Sequence, residues 1–143
     1  MKKMALNFAH EILAALVFLA ALSGAAAAAG PWAGVAERID NELRAGLELY
    51  EQGKVQAAQE KVVDAYFGVF EGEKANMEIA IRQGLSYKRA NGLEKGFSEL
   101  RKAMNKKAPA HEVRAMALEL MDGVRKAADE LDRKGVGLNA GWN

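Results

Sequence analysis

Four acidic side chains, Glu60, Asp64, Glu71 and Glu78, follow one another at steps of four, seven and seven residues. At about 100° per residue, a continuous helix turns them to within roughly 40° of one another. Such a stripe of carboxylates suits hard or borderline cations, among them Ca²⁺, Mn²⁺ and iron ions, because metal sites in helical bundles are built from inward-projecting Glu and Asp. The alternative is a solvated acidic face beside the core. Arg82 would then simply pair with Glu78 one turn away, a contact worth roughly 0.2–0.5 kcal/mol. A firm site needs ligands from a second helix, and Glu48, Glu51, Glu94, Glu99 and His111 stand as unranked candidates.

The same stretch carries Tyr66, Phe67 and Phe70 in a chain whose aromatic content is only 7%. Tyr66 and Phe70 lie one turn apart on the apolar face and read as core packing. Phe67 falls nearer the acids, where it could shield a carboxylate cluster or contact a partner. Other chemistries find less support. The chain has no cysteine, which removes disulfides, thiolate metal sites and a cysteine nucleophile. Its two histidines, His10 and His111, cannot supply an H-E-x-x-H zinc motif. No serine sits in a G-x-S-x-G setting and no glycine-rich phosphate loop occurs, so the chain is read as a non-enzyme. Met77, Met104, Met116 and Met121 fall on apolar helix faces and read as core rather than as a copper site.

The N-terminus has the form of an export signal. Lys2-Lys3 gives a positive start, Ile12 to Leu22 is almost wholly apolar, and Ser23 to Ala29 supplies small residues for cleavage. Residues 1–29 are therefore expected to be a cleaved signal peptide and the mature protein periplasmic, the alternative being an uncleaved anchor. Cleavage removes Lys2, Lys3 and Glu11 from a total of 20 basic and 19 acidic residues, which leaves the charges balanced. A nucleic-acid binder would show a basic excess, so nucleic acid is not an expected partner.

Periodicity supplies the elements that must position these side chains. Val35, Ile39, Leu43, Leu47 and Tyr50 predict an amphipathic helix from Trp32 to Gln52, with Pro31 in its first turn and Gly53 as a left-handed cap. A second helix opens near Lys54 and carries Val55, Ala58, Val62, Tyr66 and Phe70, and Gly72 predicts a kink or break before Met77 to Ile81 resume the pattern. A third shows Leu85, Leu93, Phe97, Leu100 and Met104. A fourth starts at Pro109 and runs through Val113, Leu120, Val124 and Leu131 to Gly135. The expected fold is all-α, an antiparallel up-down four-helix bundle over residues 30–134, with 135–143 as a coil tail.

These residues resemble the exported N-terminal helical domain of bacterial members of the oxidase-dependent iron permease family. The resemblance rests on a V-x-D-A-Y-F-x-x-F-E segment at Val62 to Glu71 and an M-E-x-x-I segment at Met77 to Ile81. Leu93-Glu94 with Phe97 and Leu100, and the proline-led last helix, are similar as well. The likeness covers about residues 43–131. It implies a periplasmic domain that binds or presents an iron ion to a membrane-embedded iron permease, with Asp64, Glu71 and Glu78 as the matching acids. The transmembrane helices and R-E-G-L-E motif of the permease are not in this sequence. The implied role is an accessory protein, with homodimerisation left open. The contrasting expectation is a structural or protein-interaction module in which the acids only solvate the surface.

Overall fold

The computed structural model describes residues 29–72 and 74–139, so the expected signal peptide, apart from Ala29, lies outside the described residues. Every regular element among them is helical. Helix α1 spans Pro31–Glu51 and α2 spans Val55–Val63. A π-helical segment, Asp64–Phe70, continues α2 directly. Three further helices follow: α3 over Met77–Gly84, α4 over Tyr87–Asn105 and α5 over Ala110–Arg133. No described helix is long and apolar enough to cross a membrane.

The apolar stripes meet in one core. Trp32, Ile39, Leu43, Val62, Phe70, Ile81, Leu100, Met121 and Leu131 are fully buried, and each such side chain contributes roughly 1.5–3 kcal/mol by leaving water. Helix α1 packs most extensively on α5 and α2, while α4 lies against α5, α2 and α3. Gly46 lets α1 and α2 approach closely, since a Cβ there would sit 3.2 Å from the Ala58 carbonyl oxygen.

The ends of α1 show how local chemistry and tertiary packing divide the work. Its C-terminus closes as expected: Gly53 adopts φ +76°, and Lys54 N–H donates to the Leu49 carbonyl at 2.9 Å. At its N-terminus Gly30 offers no side chain, and Asp132 of α5 takes the cap's place. The two Asp132 oxygens accept from Trp32 N–H and Ala33 N–H, each at 3.0 Å. The Trp32 indole N–H donates to the Val136 carbonyl at 2.6 Å, and Val136 and Leu138 pack against the core. The expected coil tail therefore begins as a docked strap.

Five α-helices are present because the second of the four expected helices is broken near Gly72, as expected, rather than only kinked, and side chains mark where the chain restarts. The Asn76 side chain accepts from Ile79 N–H at 3.0 Å and starts α3 after the interruption near Gly72. Ser86 does the same for Arg89 N–H at 3.1 Å, so α4 begins with its own cap two residues after α3 ends.

Candidate metal centre

The π-helical segment decides which acids meet. Its bonds run from N–H to the carbonyl five residues back, as in Glu71 N–H to Tyr66 at 2.8 Å, so each residue turns less than the 100° of an α-helix. Over seven residues the deficit rotates Glu71 away from the side that Asp64 faces. The expected stripe therefore divides. Glu60 is exposed and accepts from the Gln56 amide at 3.2 Å. The Asp64 side chain is 60% exposed, 3.9 Å from Lys61. Neither joins Glu71.

Glu71 and Glu78 do come together, and Glu94 of α4 joins them. Each offers a carboxylate oxygen, and the three lie within 4.8 Å of one another. Oxygens held about 2.3–2.6 Å from a Ca²⁺-sized cation are at most about 5 Å apart, so the three carboxylates lie within reach of one ion of that size, and a smaller ion would draw them closer. The site is sheltered: the side chain of Glu78 is 12% exposed and that of Glu94 28%.

Neighbouring side chains hold the carboxylates in place. The Tyr66 hydroxyl donates to Glu71 in a short contact. Burial, with Glu71 as acceptor, pushes the Tyr66 phenol well above its ordinary value, so it stays a donor. Arg82 donates through Nε to Glu78 at 2.7 Å and through Nη2 to Glu94 at 2.7 Å, and its guanidinium stacks 4.4 Å over the Tyr87 ring. Burial raises the Glu94 carboxyl above the usual carboxylate range. A carboxyl contact and like charge from Glu78 raise it further, against the opposing pull of Arg82.

The aromatic segment forms the floor of this group. Phe70 is fully buried, and Phe97 of α4 packs against both Tyr66 and Phe70 with ring centroids 5.2 Å apart in each case. That contact fixes the register of α4, and Glu94, three residues before Phe97, is thereby set beside Glu71 and Glu78. Phe67 instead reaches solvent at 59% exposure, edge-on to Tyr66.

The other candidate ligands lie elsewhere. Glu51 pairs with Arg114, Glu99 pairs with Lys102 at 3.0 Å, and Glu48 and His111 are exposed. Glu71, Glu78 and Glu94 are the one group of three acidic or histidine side chains, among the described residues, that brings a ligand atom from each within this distance. Compared with protein-family models, curated proteins and solved structures, the chain matches none of them.

Proposed function

We propose that this chain is a periplasmic accessory protein that binds an iron ion through Glu71, Glu78 and Glu94 and works beside a membrane-embedded iron permease. The observation that carries the reading is the convergence within 4.8 Å of three carboxylate oxygens, from the residue that ends the π segment and from helices α3 and α4. An all-oxygen set of this kind favours hard cations, and the likeness of Val62 to Glu71 and Met77 to Ile81 to the permease-associated domain selects iron among them. Arg82 neutralises part of the charge of the cluster, and a bound cation would compete with it for the same carboxylates. Competition of this sort keeps binding reversible, as an accessory that hands its cargo onward requires. The same reading takes α2, the π segment and α3 as one broken rod in an up-down four-helix arrangement, with the chain delivered by a cleaved signal.

Isothermal titration of the mature protein with Fe²⁺ and Mn²⁺, repeated on Glu71→Gln/Glu78→Gln/Glu94→Gln, tests the site. One saturable equivalent in the parent and at least a tenfold loss in the triple variant are expected. No uptake by the parent, or equal uptake by both proteins, overturns it.

One observation favours the contrasting reading of a protein-interaction module. Phe67, exposed on the π segment, lines a hollow together with Arg38 and Lys74. The titration separates the two readings, since an interaction module takes up no metal.

A further inference from the structure

Helix α1 starts against a negative charge that no cationic side chain answers. Gly30 precedes it, and a Cβ added there would lie 2.2 Å from Asp132 Cγ and 2.4 and 2.5 Å from the two carboxylate oxygens. The Asp132 carboxylate therefore occupies the place where an N-cap side chain on residue 30 would begin, and only glycine leaves room for it. Bond lengths alone then bring the Gly30 nitrogen to within about 5 Å of both oxygens.

Asp132 is half-buried, and its oxygens accept from two neutral donors, Trp32 N–H and Ala33 N–H. The positive end of α1 offsets only about half a unit of its charge. The cations around the end of α5 are engaged elsewhere: Arg89 and Lys134 pair with Glu130, and Arg133 Nε donates to the Asp129 carbonyl at 3.3 Å. Among the described residues no Lys, Arg or His side chain forms an ion pair with Asp132. A compact cation at Gly30 would complete the pair, and breaking one bond supplies it. Ala27 and Ala29 give the A-x-A pattern of a cleavage site, and Ala29 is exposed. A peptidase that cuts after small residues hydrolyses the Ala29–Gly30 amide with one water. Ala29 leaves as a carboxylate, while the Gly30 nitrogen keeps the electrons of the broken bond and takes up protons to become an ammonium.

We propose, resting on the reading of residues 1–29 as a cleaved signal, that Gly30 is the first residue of the processed chain and that its α-ammonium pairs with Asp132. Cleavage after Ala27 would instead put the ammonium on Ala28, up to about 7 Å farther along the chain, and leave Gly30 with a neutral amide. Processing after Ala29 thus creates the charge that ties the start of α1 to the end of α5. The full chain is expressed with export, and the start of the folded product is read by intact mass and sequential N-terminal degradation. Its amines are labelled by reductive methylation with ¹³C-formaldehyde. The resonance of the Gly30 amine is then followed against pH in the folded protein, in its Asp132→Asn variant and in a labelled peptide of residues 30–34.

A product that begins at Gly30 is expected, with an amine that holds its proton roughly two- to fivefold more tightly than the peptide does. Asp132→Asn should remove most of that difference. The peptide comparison needs no variant, so it decides the matter even where Asp132→Asn does not fold. A product that begins at another residue of the processed chain, an amine that titrates with the peptide, or one that Asp132→Asn leaves unchanged overturns the pairing and leaves the export reading standing. A folded product that retains residues 1–29 overturns both.

Discussion

A carboxylate set into the seam between two helices holds its charge cheaply only when donors reach both oxygens, and Asp40 has a single side-chain partner, at 3.5 Å. Its folded-state pKa is raised by burial, with Arg125 and Arg44 pulling the other way. Between the ordinary value and the raised one the folded state keeps a proton that the unfolded chain has released, so this contribution to stability falls as pH rises. At neutral pH the ionised Asp40 is therefore a net burden. Asp40→Asn removes that burden and should change stability by about 1 kcal/mol or less at pH 7. Its advantage over the parent should be greatest at neutral pH and shrink as pH falls toward 4. Urea unfolding of both proteins at several pH values measures the difference, and an advantage that grows on acidification would contradict the argument.

At the scale of elements, the junction from the π segment into α3 sets the Glu71, Glu78 and Glu94 group, and its two glycines make different demands. A Cβ at Gly72 would lie 2.8 Å from the Gly68 carbonyl oxygen and 3.1 Å from that of Val69, both backbone atoms that cannot swing aside. Gly72→Ala should cost about 1–3 kcal/mol in chemical denaturation and weaken cation binding by moving the adjacent Glu71. Gly68 has open space around it, so Gly68→Ala should be neutral or stabilising by about 0.5–1 kcal/mol in the same assay. The interruption near Gly72 was legible in the sequence, as were the stripes of α1 and α5, because apolar periodicity and glycine placement act locally. The π winding was not. It depends on how Tyr66 and Phe70 settle against Phe97 across the core, and α-periodicity carried through that segment put Asp64 and Glu71 on one face. Two of the expected ligands, Glu71 and Glu78, are brought together. Glu60 and Asp64 are not, and Glu94 entered only as one unranked candidate because its place depends on a contact between helices.

Across the whole molecule the architecture closes on itself at one end. Trp32 and Asp132, separated by 100 residues, are joined by a backbone-to-carboxylate bond, and the Trp32 indole is tied to Val136 just beyond α5. Asp132→Ala removes the acceptor for both Trp32 N–H and Ala33 N–H and should lower stability by about 1–2 kcal/mol in thermal or urea unfolding, with the helical content of the folded protein retained. Composition announced none of this, because Gly30 advertises no cap and Asp132 lies on another helix. The remote cap also bears on the order of events when the polypeptide is made. A ribosome releases Trp32 long before it reaches Asp132, so the first helix waits for the last turn of the final helix before its start is secured. Until then the growing polypeptide lacks its native closure, and the two ends of the folded domain are secured together in a single late step.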